Sequence, residues 1–290
     1  MEEEILEETS LTRKKMRFIP KLLLTILFMI ITFLCYIHFL EPKLIVTEEV
    51  AIIDKAIPES FNGFKIAQIS DIHFGRTTNE KELEKTVRKI NEMKPDIVIF
   101  TGDLFDDYIN LSEDNISFLK STLSNINANL NKYAIMGDSD ITKEDVFKSI
   151  MTEANFTVLE NTNIPIYYNG NTPIYLSGIP SIKKNTTDFS TALKKDKQES
   201  YQILMAHEPT VFDNKENTAN LSITGHSLGG LIRIPFVGGI FKGENVNNYE
   251  SGLYENDNKK LYVSGGIGTE NISARFLNFP SVTLFRLYNN

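Results

Sequence analysis

Cysteine and histidine are scarce in this chain of 290 residues, which has one cysteine and four histidines. The single cysteine, Cys35, has no second thiol with which to pair, so an internal disulfide is excluded. Basic residues are also few, since 30 Lys and Arg face 38 Asp and Glu and leave a net charge of -8. An acidic chain repels phosphate backbones, so no nucleic-acid partner is expected. With 16 glycines, 10 prolines and 41% hydrophobic residues, the composition is that of a folded globular protein.

Residues 22–40, LLLTILFMIITFLCYIHFL, contain no Asp, Glu, Lys or Arg. This run of 19 residues is close to the roughly 20 that a helix needs to cross a bilayer. A buried core helix is one alternative, but such helices are usually shorter and carry a polar face. A cleavable signal peptide is another, yet the run ends in FLEP (39–42) without a small-x-small cleavage site. We therefore expect a transmembrane helix that is retained as a signal anchor.

The basic residues that flank this run lie almost all before it, at positions 13, 14, 15, 17 and 21, and only Lys43 follows closely. By the positive-inside rule, residues 1–21 form a cytoplasmic tail. Residues 22–40 would then cross the cell membrane once, and residues 43–290 would form one extracytoplasmic domain. About 250 residues are enough for a single sizeable α/β domain.

Alternating strand and helix patterns organise the part of the chain that follows. Strands are predicted at residues 65–70, 96–101, 133–136, 174–178, 201–206 and 221–224, and helices at 80–93, 112–123 and 142–154, the last opening with a capping box at Thr142. The second half of the chain is richer in strands than the first. This order predicts an α/β fold in which helices pack outside two facing sheets.

Acidic and histidine side chains follow five of these strands directly. They are Asp71 and His73 after the first, Asp103 and Asp106 after the second, Asp138 after the third, and His207 and His226 after the last two. Ligand sites in α/β sheets form at the carboxyl ends of strands. Asp is also common in turns after strands, but turn chemistry explains one or two such loops rather than five. Carboxylates and imidazoles that converge from separate loops predict a site for Mn, Fe or Zn.

These loops resemble the five sequence blocks of the calcineurin-like metallophosphoesterases. The blocks are SDIH (70–73), GDLFD (102–106), GDSD (137–140), AHEP (206–209) and GHSLGG (225–230), in this order. The lead-in at residues 61–75 and the tail at residues 262–287 resemble the membrane-anchored bacterial branch, which is similar to enzymes that cleave UDP-2,3-diacylglucosamine. The resemblance covers nearly all of residues 43–290. It implies a four-layer α-β-β-α sandwich that hydrolyses phosphoesters.

The resemblance also implies roles for individual residues. Asp71 and His73 would bind a first divalent metal, Asp103 would bridge two metals, and the second would be held by Asp138, His207 and His226. Two such metals would activate a bridging hydroxide for attack on phosphorus. Asp106 would orient a ligand, or else be a surface turn residue. Arg76 and Arg275, which lie beside motif loops, are candidate substrate contacts, with a solvated surface position as the alternative.

The chain departs from the family blocks at three positions. Asp138 replaces an asparagine and keeps a ligating oxygen. Ser139 replaces a histidine that serves catalysis, and losing a general acid typically costs on the order of 10²–10⁴ in rate. Leu228 replaces a histidine ligand and cannot bind a metal, so we expect one firm metal site and one that is weak or empty. The sequence leaves two interpretations: a weakly active hydrolase of phosphodiesters or pyrophosphates, with lipid-linked or envelope substrates favoured by location, and a catalytically inactive binding module.

A third interpretation comes from GHSLG (225–229), which matches the G-x-S-x-G pattern of serine esterases with Ser227 as the nucleophile. Two features argue against it. The nucleophile must open a helix, whereas the residues after it have strand and turn composition. The triad order of that fold also needs a histidine after the serine, and no histidine follows His226.

The flanking charges generate a topology prediction. Proteinase added to intact protoplasts should digest residues 41–290, because the basic cluster holds the N-terminus in the cytoplasm. Full protection of these residues would contradict the predicted orientation.

Overall fold

A computed structural model describes residues 2–290 except 76–77, 108, 197–198, 242, 247, 257–258 and 271, with side chains described from residue 19 onward. It begins with helix α1 (Glu2–Cys35), which continues through a π-helical turn at Tyr36–Leu40 and a 3₁₀ turn at Glu41–Lys43. The stretch Ile19–Lys43 is long and apolar enough to cross a membrane, and only 6% of its most apolar window is buried. The predicted run at residues 22–40 lies within it.

The strands of the described chain are β1 (Val46–Ile53), β2 (Lys65–Ile69), β3 (Ile97–Phe100), β4 (Asn131–Ala134), β5 (Phe156–Val158), β6 (Thr162–Ile166), β7 (Ile174–Gly178), β8 (Gln202–Met205), β9 (Leu221–Thr224), β10 (Arg233–Ile234), β11 (Gly238–Gly239), β12 (Gly252–Asn256), β13 (Lys259–Val263) and β14 (Ser281–Tyr288). One six-stranded sheet has the order β1-β14-β2-β3-β4-β5, and the other has the order β12-β13-β9-β8-β7-β6. Strands β2 to β5 are parallel in the first sheet, and β7, β8, β9 and β13 are parallel in the second. Strands β10 and β11 form a separate antiparallel hairpin.

The helices that follow α1 are α2 (Glu80–Met93), α3 (Glu113–Ser124), α4 (Glu144–Glu153) and α5 (Phe189–Ala192). Buried apolar side chains of α2, α3 and α4 pack on one face of the first sheet. The other face of that sheet packs against the second sheet. The outer face of the second sheet is covered by α5 and the 3₁₀ turn Pro209–Asp213. The predicted α-β-β-α order is confirmed, although its fourth layer is reduced to short helical turns.

Local sequence explains why these elements begin and end where they do. Asn79 caps α2 through a capping box with Glu82, which satisfies two backbone N–H groups that have no partner inside the helix. Lys94 ends this helix in a left-handed conformation, and Pro95 follows it. All four residues of β3 are buried, as expected of a parallel strand covered on both faces.

Three local predictions are wrong or incomplete. Strand β4 begins and ends two residues earlier than the predicted 133–136, so Met136 belongs to the loop at the site. The capping box predicted at Thr142 is wrong, because this residue lies in a 3₁₀ turn and α4 begins at Glu144 without a side-chain cap. Strands β1 and β12 were not predicted, because their exposed faces carry charged residues and do not give a continuous apolar run.

Arg275 lies in the interior, so neither a substrate contact nor a solvated surface position is correct for it. Its side chain is fully buried, and its guanidinium donates hydrogen bonds of 2.6–3.2 Å to the carbonyls of Gly265, Gly266, Gly268 and Asn278. Burial lowers the pKa of this guanidinium to about 10. Arg275 therefore holds together the loop that follows β13.

Replacing Arg275 with alanine should destabilise the fold by about 3 kcal/mol, because four buried carbonyls would lose their donor. For a domain of this size that is roughly 6–12 °C in melting temperature. The matched control is Arg286→Ala, which removes a surface pair with Glu49 and should cost less than about 1 kcal/mol. Equal melting temperatures for the two variants in detergent would show that the Arg275 hydrogen bonds do not support the loop.

Candidate metal centre

The loops after β2, β3, β8 and β9 meet at one edge of the two sheets and are joined by backbone hydrogen bonds. The Asp71 N–H donates to the Gly102 carbonyl at 2.9 Å, and the Gly225 N–H donates to the His207 carbonyl at 3.0 Å. The two sheets are joined beneath this edge, where the Gln68 amide donates to the Thr224 carbonyl at 2.9 Å. The convergence of these strand ends is what brings distant parts of the sequence together.

Two glycines allow the loops after β3 and β4 to approach this closely. Gly102 has a φ of +99°, and a Cβ placed on it would lie 2.6 Å from the Gly137 Cα. A Cβ placed on Gly137 would lie 2.1 Å from Asp103 Oδ1. Both positions are thus closed to any residue with a side chain unless the loops move apart.

Asp140 fixes the same two loops through its carboxylate. One oxygen accepts the N–H groups of Asp103 and Gly137 at 2.9 and 3.0 Å, and the other accepts the Leu104 N–H at 2.9 Å. Burial and the nearby charge of Asp103 raise the pKa of Asp140 to about 7. Sequence reasoning gave this residue no role, although it is the last position of the block at 137–140.

One group of potential ligands consists of Asp103, Asp138, His207 and His226, whose ligand atoms all lie within 4.8 Å of one another. His207 Nε2 is 2.9 Å from Asp138 Oδ1 and 3.3 Å from Asp103 Oδ2. His226 Nδ1 is 3.2 Å from His207 Nε2 and 3.3 Å from Asp138 Oδ1. Ligands that bind one cation at about 2.1 Å lie about 3.0–3.4 Å apart in octahedral or tetrahedral geometry. These four side chains could therefore hold one divalent ion.

Backbone carbonyls orient both imidazoles toward this group. His207 Nδ1 lies 2.8 Å from the Thr101 carbonyl, and His226 Nε2 lies 2.7 Å from the Glu244 carbonyl. A carbonyl only accepts, so each of these nitrogens carries the proton. With a cation bound, the opposite nitrogen of each ring would present its lone pair to the ion beside the two carboxylates, which is the arrangement found around metal-binding histidines.

A second, smaller group consists of Asp71, His73 and Asp103, so Asp103 belongs to both. His73 Nε2 lies 3.5 Å from Asp103 Oδ2. Leu228 and Asp71 both lie close to Gly266. A Cβ placed on this glycine would be 2.9 Å from the Asp71 Cβ and 3.0 Å from Leu228 Cδ2, so the leucine side chain lies near the group. The smaller group therefore lies beside an apolar side chain at the position where the family blocks have a histidine.

Charge in this region is concentrated and mostly buried. Burial opposes ionisation of Asp138, but hydrogen bonds from His207 and His226 outweigh it and hold the pKa of Asp138 well below its usual range. Burial likewise opposes protonation of His207, but the charge of Asp103 outweighs it and raises the pKa of this imidazole well above its ordinary value. The carboxylates thus favour positive charge near His207 Nε2 and His226 Nδ1, and a bound cation would supply that charge.

Backbone strain accompanies the same residues. Asp71, His73, Asp103 and His226 have φ values of 51°, 45°, 61° and 67°. Residues with side chains seldom adopt this left-handed region, and such strain clusters at functional sites. Four of the six predicted ligands therefore hold an unfavourable backbone conformation that places their side chains together.

The remaining predicted site residues have different positions. Ser139 is buried, its N–H donates to Asp103 Oδ1 at 3.0 Å, and its hydroxyl has no hydrogen-bond partner among the described residues. Asp106 is buried rather than a surface turn residue, and its N–H donates to the Phe74 carbonyl. Arg76 lies outside the described residues.

Ser227 does not have the geometry of an esterase nucleophile. Its hydroxyl is buried and donates to the Glu250 carbonyl at 2.5 Å. The residues after it form a three-residue 3₁₀ turn, Leu228–Gly230, and then the β10-β11 hairpin. A nucleophile elbow instead exposes its serine at the start of a helix.

Lys183 was missed by the sequence reasoning and lies at the site. Its ammonium is 2.6 Å from Asp138 Oδ2. It helps to line a cavity of about 540 Å³ together with His226, Leu228, Phe241 and Glu270. A signal was present, because β7 was recognised as a strand and the loop after its carboxyl end reaches the same edge of the sheet.

Comparisons with known proteins agree with this geometry. The family model for calcineurin-like phosphoesterases matches residues 64–230. The metallophosphoesterase YkuE of Bacillus subtilis is 32% identical over 257 residues, which cover 87% of this chain and 88% of that protein. The chain therefore belongs to the calcineurin-like phosphoesterase family, and family membership supports its assignment as a hydrolase of phosphoesters.

Two further relatives are similar over a smaller share of their own length. A Danio rerio transmembrane protein with a metallophosphoesterase domain is 25% identical over 281 residues, which cover 89% of this chain and 61% of that protein. The UDP-2,3-diacylglucosamine pyrophosphatase LpxG of Chlamydia muridarum is 32% identical over 106 residues, which cover 36% of this chain and 30% of that enzyme. The family resemblance seen in the sequence blocks is confirmed.

The two groups of ligands predict different metal affinities. The full-length protein, purified with Mn, Fe or Zn and dialysed, should retain close to one ion per chain by elemental analysis. The four-residue group offers a fuller set of ligands than the three-residue group beside Leu228. His207→Ala should abolish this tight binding, because it removes an imidazole from the larger group.

The matched control is His73→Ala, which removes an imidazole from the smaller group and should leave the tightly held ion in place. Two tightly held ions per chain would contradict the prediction that the two sites differ in metal affinity. Loss of the ion in both His207→Ala and His73→Ala would contradict it as well.

Proposed function

We propose that this protein is a membrane-anchored, divalent-metal-dependent phosphoesterase that hydrolyses phosphodiesters or pyrophosphates. The observation that carries the proposal is the pair of ligand groups that share Asp103. A shared carboxylate is what a site for two adjacent cations needs, and such sites activate water for in-line attack on phosphorus. Two carboxylates with two imidazoles in the larger group suit Mn, Fe or Zn.

The residues at this site would have distinct roles in the reaction. Asp71, His73, Asp103, Asp138, His207 and His226 would hold the metals. The metals, when bound, supply an activated hydroxide and positive charge for the phosphoryl oxygens. Asp140 keeps Asp103 in place through the backbone hydrogen bonds of its loop. Lys183 adds a positive charge on the wall of the cavity, next to Asp138, where a phosphoryl group would enter.

This site lacks a histidine at the position from which the family would protonate the leaving group. Ser139 stands where the family blocks have a histidine, and a serine hydroxyl is a poor acid near pH 7. Substrates whose leaving groups need little protonation, such as pyrophosphates and activated esters, should therefore be hydrolysed best.

The substrate should be encountered at a membrane. The apolar helix Ile19–Lys43 and the similarity to a transmembrane metallophosphoesterase support an anchor. The basic residues before the helix favour an extracytoplasmic domain in the cell membrane. The partial similarity to a UDP-2,3-diacylglucosamine pyrophosphatase supports a lipid-linked substrate.

A second candidate function is a catalytically inactive module that binds metal or phosphate. Leu228 and Ser139 favour it, because each replaces a histidine of the family blocks. The complete larger group of ligands favours the enzyme. The test is hydrolysis of bis-p-nitrophenyl phosphate by the full-length protein in detergent with Mn, Fe or Zn. Metal-dependent turnover that His207→Ala abolishes would support the enzyme. Metal binding without turnover would support the inactive binding module.

If the two replacements limit catalysis, the variant that combines Ser139→His with Leu228→His should hydrolyse phosphodiesters faster than the parent. One change adds a ligand to the smaller group, and the other adds an imidazole that can protonate the leaving oxygen. The gain should be larger for alkyl esters than for p-nitrophenyl esters, because the poorer leaving group needs the acid.

The matched control is Ser139→Ala with Leu228→Met, which changes both side chains without adding an imidazole. Two bound metals in the double histidine variant with no gain on either substrate would contradict the catalytic reading and favour the binding module.

A further inference from the structure

The hairpin at residues 232–241 presents an unusual surface for the exterior of a folded domain. Residues 234–241, IPFVGGIF, contain no charged or hydrogen-bonding side chain. At its tip Phe236 is fully exposed and Val237 is 71% exposed, and Ile234, Ile240 and Phe241 are exposed as well. Leaving such side chains in water forgoes about 25 cal/mol for each Å² of apolar surface. Exposed apolar surface of this kind marks an interaction site.

The hairpin is attached to the apolar N-terminal helix through the loop at residues 275–276. The Arg233 N–H donates to the Phe276 carbonyl at 2.9 Å. The Phe276 ring in turn packs edge-on against Phe33 of the helix, with 5.0 Å between ring centroids. The N–H of the preceding residue, Arg275, donates to the Ile37 carbonyl at 2.9 Å. Hairpin, connecting loop and helix are therefore in continuous contact.

The position of Phe33 along the helix sets the depth of the hairpin. Phe33 precedes Leu40, the last residue of the uncharged run, by seven residues. At 1.5 Å per residue it lies about 10 Å inside the end of that run. A helix that spans the bilayer with residues 22–40 in its hydrocarbon core would therefore place Phe276 within the leaflet. The base of the hairpin at Arg233, which is hydrogen-bonded to Phe276, would lie near the same level.

We propose that the tip of the hairpin inserts into the leaflet at which the helix leaves the membrane, as a second membrane contact. Leu277 and Phe279, which follow Phe276 in the chain and are also exposed, add apolar surface next to this attachment. Continuity with the helix identifies the lipid bilayer as the partner, because a protein docked at this surface would have to occupy the same leaflet. Strands β10 and β11 have two residues each, too short to cross a bilayer, so the hairpin dips into it.

Insertion has a consequence for the substrate that rests on the proposed function. The lining of the cavity beside the metal groups includes His226 and Lys183 as well as Ile240 and Phe241 of the hairpin. A phosphoester held at His226 could leave its apolar chain along the hairpin and in the lipid. The class of substrate favoured by this geometry is a phosphate or pyrophosphate of a membrane lipid.

The absence of tryptophan from the chain permits a direct test of insertion. The full-length Phe236→Trp protein is reconstituted in vesicles of phosphatidylcholine and of its acyl-brominated form, which quenches tryptophan within the bilayer. The expected result is loss of most of the emission in brominated vesicles. Val237→Trp, the adjacent tip position, should behave in the same way.

The matched control is Tyr167→Trp, which follows β6 at the edge of the sheet opposite the site and is exposed. Its emission should be unaffected by brominated lipid. Quenching of the tip variants no greater than that of this control would overturn the proposal, whether the hairpin then faces water or another protein. The measurement needs no substrate, so it should give the same result with His207→Ala added, and loss of activity in that variant leaves the test of insertion unaffected.

Discussion

The burial of several carboxylates at one point is the constraint on which the rest of this structure depends. Asp71, Asp103 and Asp140 are almost completely removed from water, and Asp138 adjoins them. Such a concentration of negative charge is unfavourable unless donors or cations offset it. Backbone N–H groups from two loops offset Asp140, and His207 with its raised pKa offsets Asp103. The remaining demand for positive charge at the ring nitrogens is what a divalent metal would meet.

The inequality of the two ligand groups connects the geometry to the chemistry. Asp103 belongs to both, but the larger group has two imidazoles and the smaller has one and lies beside Leu228. The same leucine also lines the cavity that leads from the metal groups to the hairpin. The leucine at this position would thus weaken one metal position, and it adds apolar surface to the cavity. Both effects would suit the proposed enzyme, which acts on phosphates of membrane lipids without a histidine to protonate the leaving group.

The periodicity of apolar residues was enough to predict α2 and β7 with their correct bounds. The acidic and histidine residues that directly follow predicted strands were enough to predict that the six proposed ligands lie at one edge of the two sheets. Periodicity succeeds there because both elements bury a regular apolar pattern. It fails for β12, whose exposed residues carry no such pattern and whose position is set by pairing with β13. The strand before Lys183 indicated that this lysine lies at the same edge, but its pairing with Asp138 and the buried role of Arg275 could not be predicted, because the sequence does not show which groups the charge of a lysine or arginine faces.

X-ray absorption at the metal edge tests the central claim most directly, since it reports the atoms around the bound ion. With one equivalent of Zn or Mn, the four-residue group of ligands predicts imidazole nitrogens and carboxylate oxygens at about 2.0–2.2 Å, with the scattering pattern of two histidine rings. It also predicts no metal–metal feature at about 3.5–4 Å until excess metal fills the smaller group. Oxygen atoms alone around the ion, without imidazole scattering, would contradict metal binding by His207 and His226.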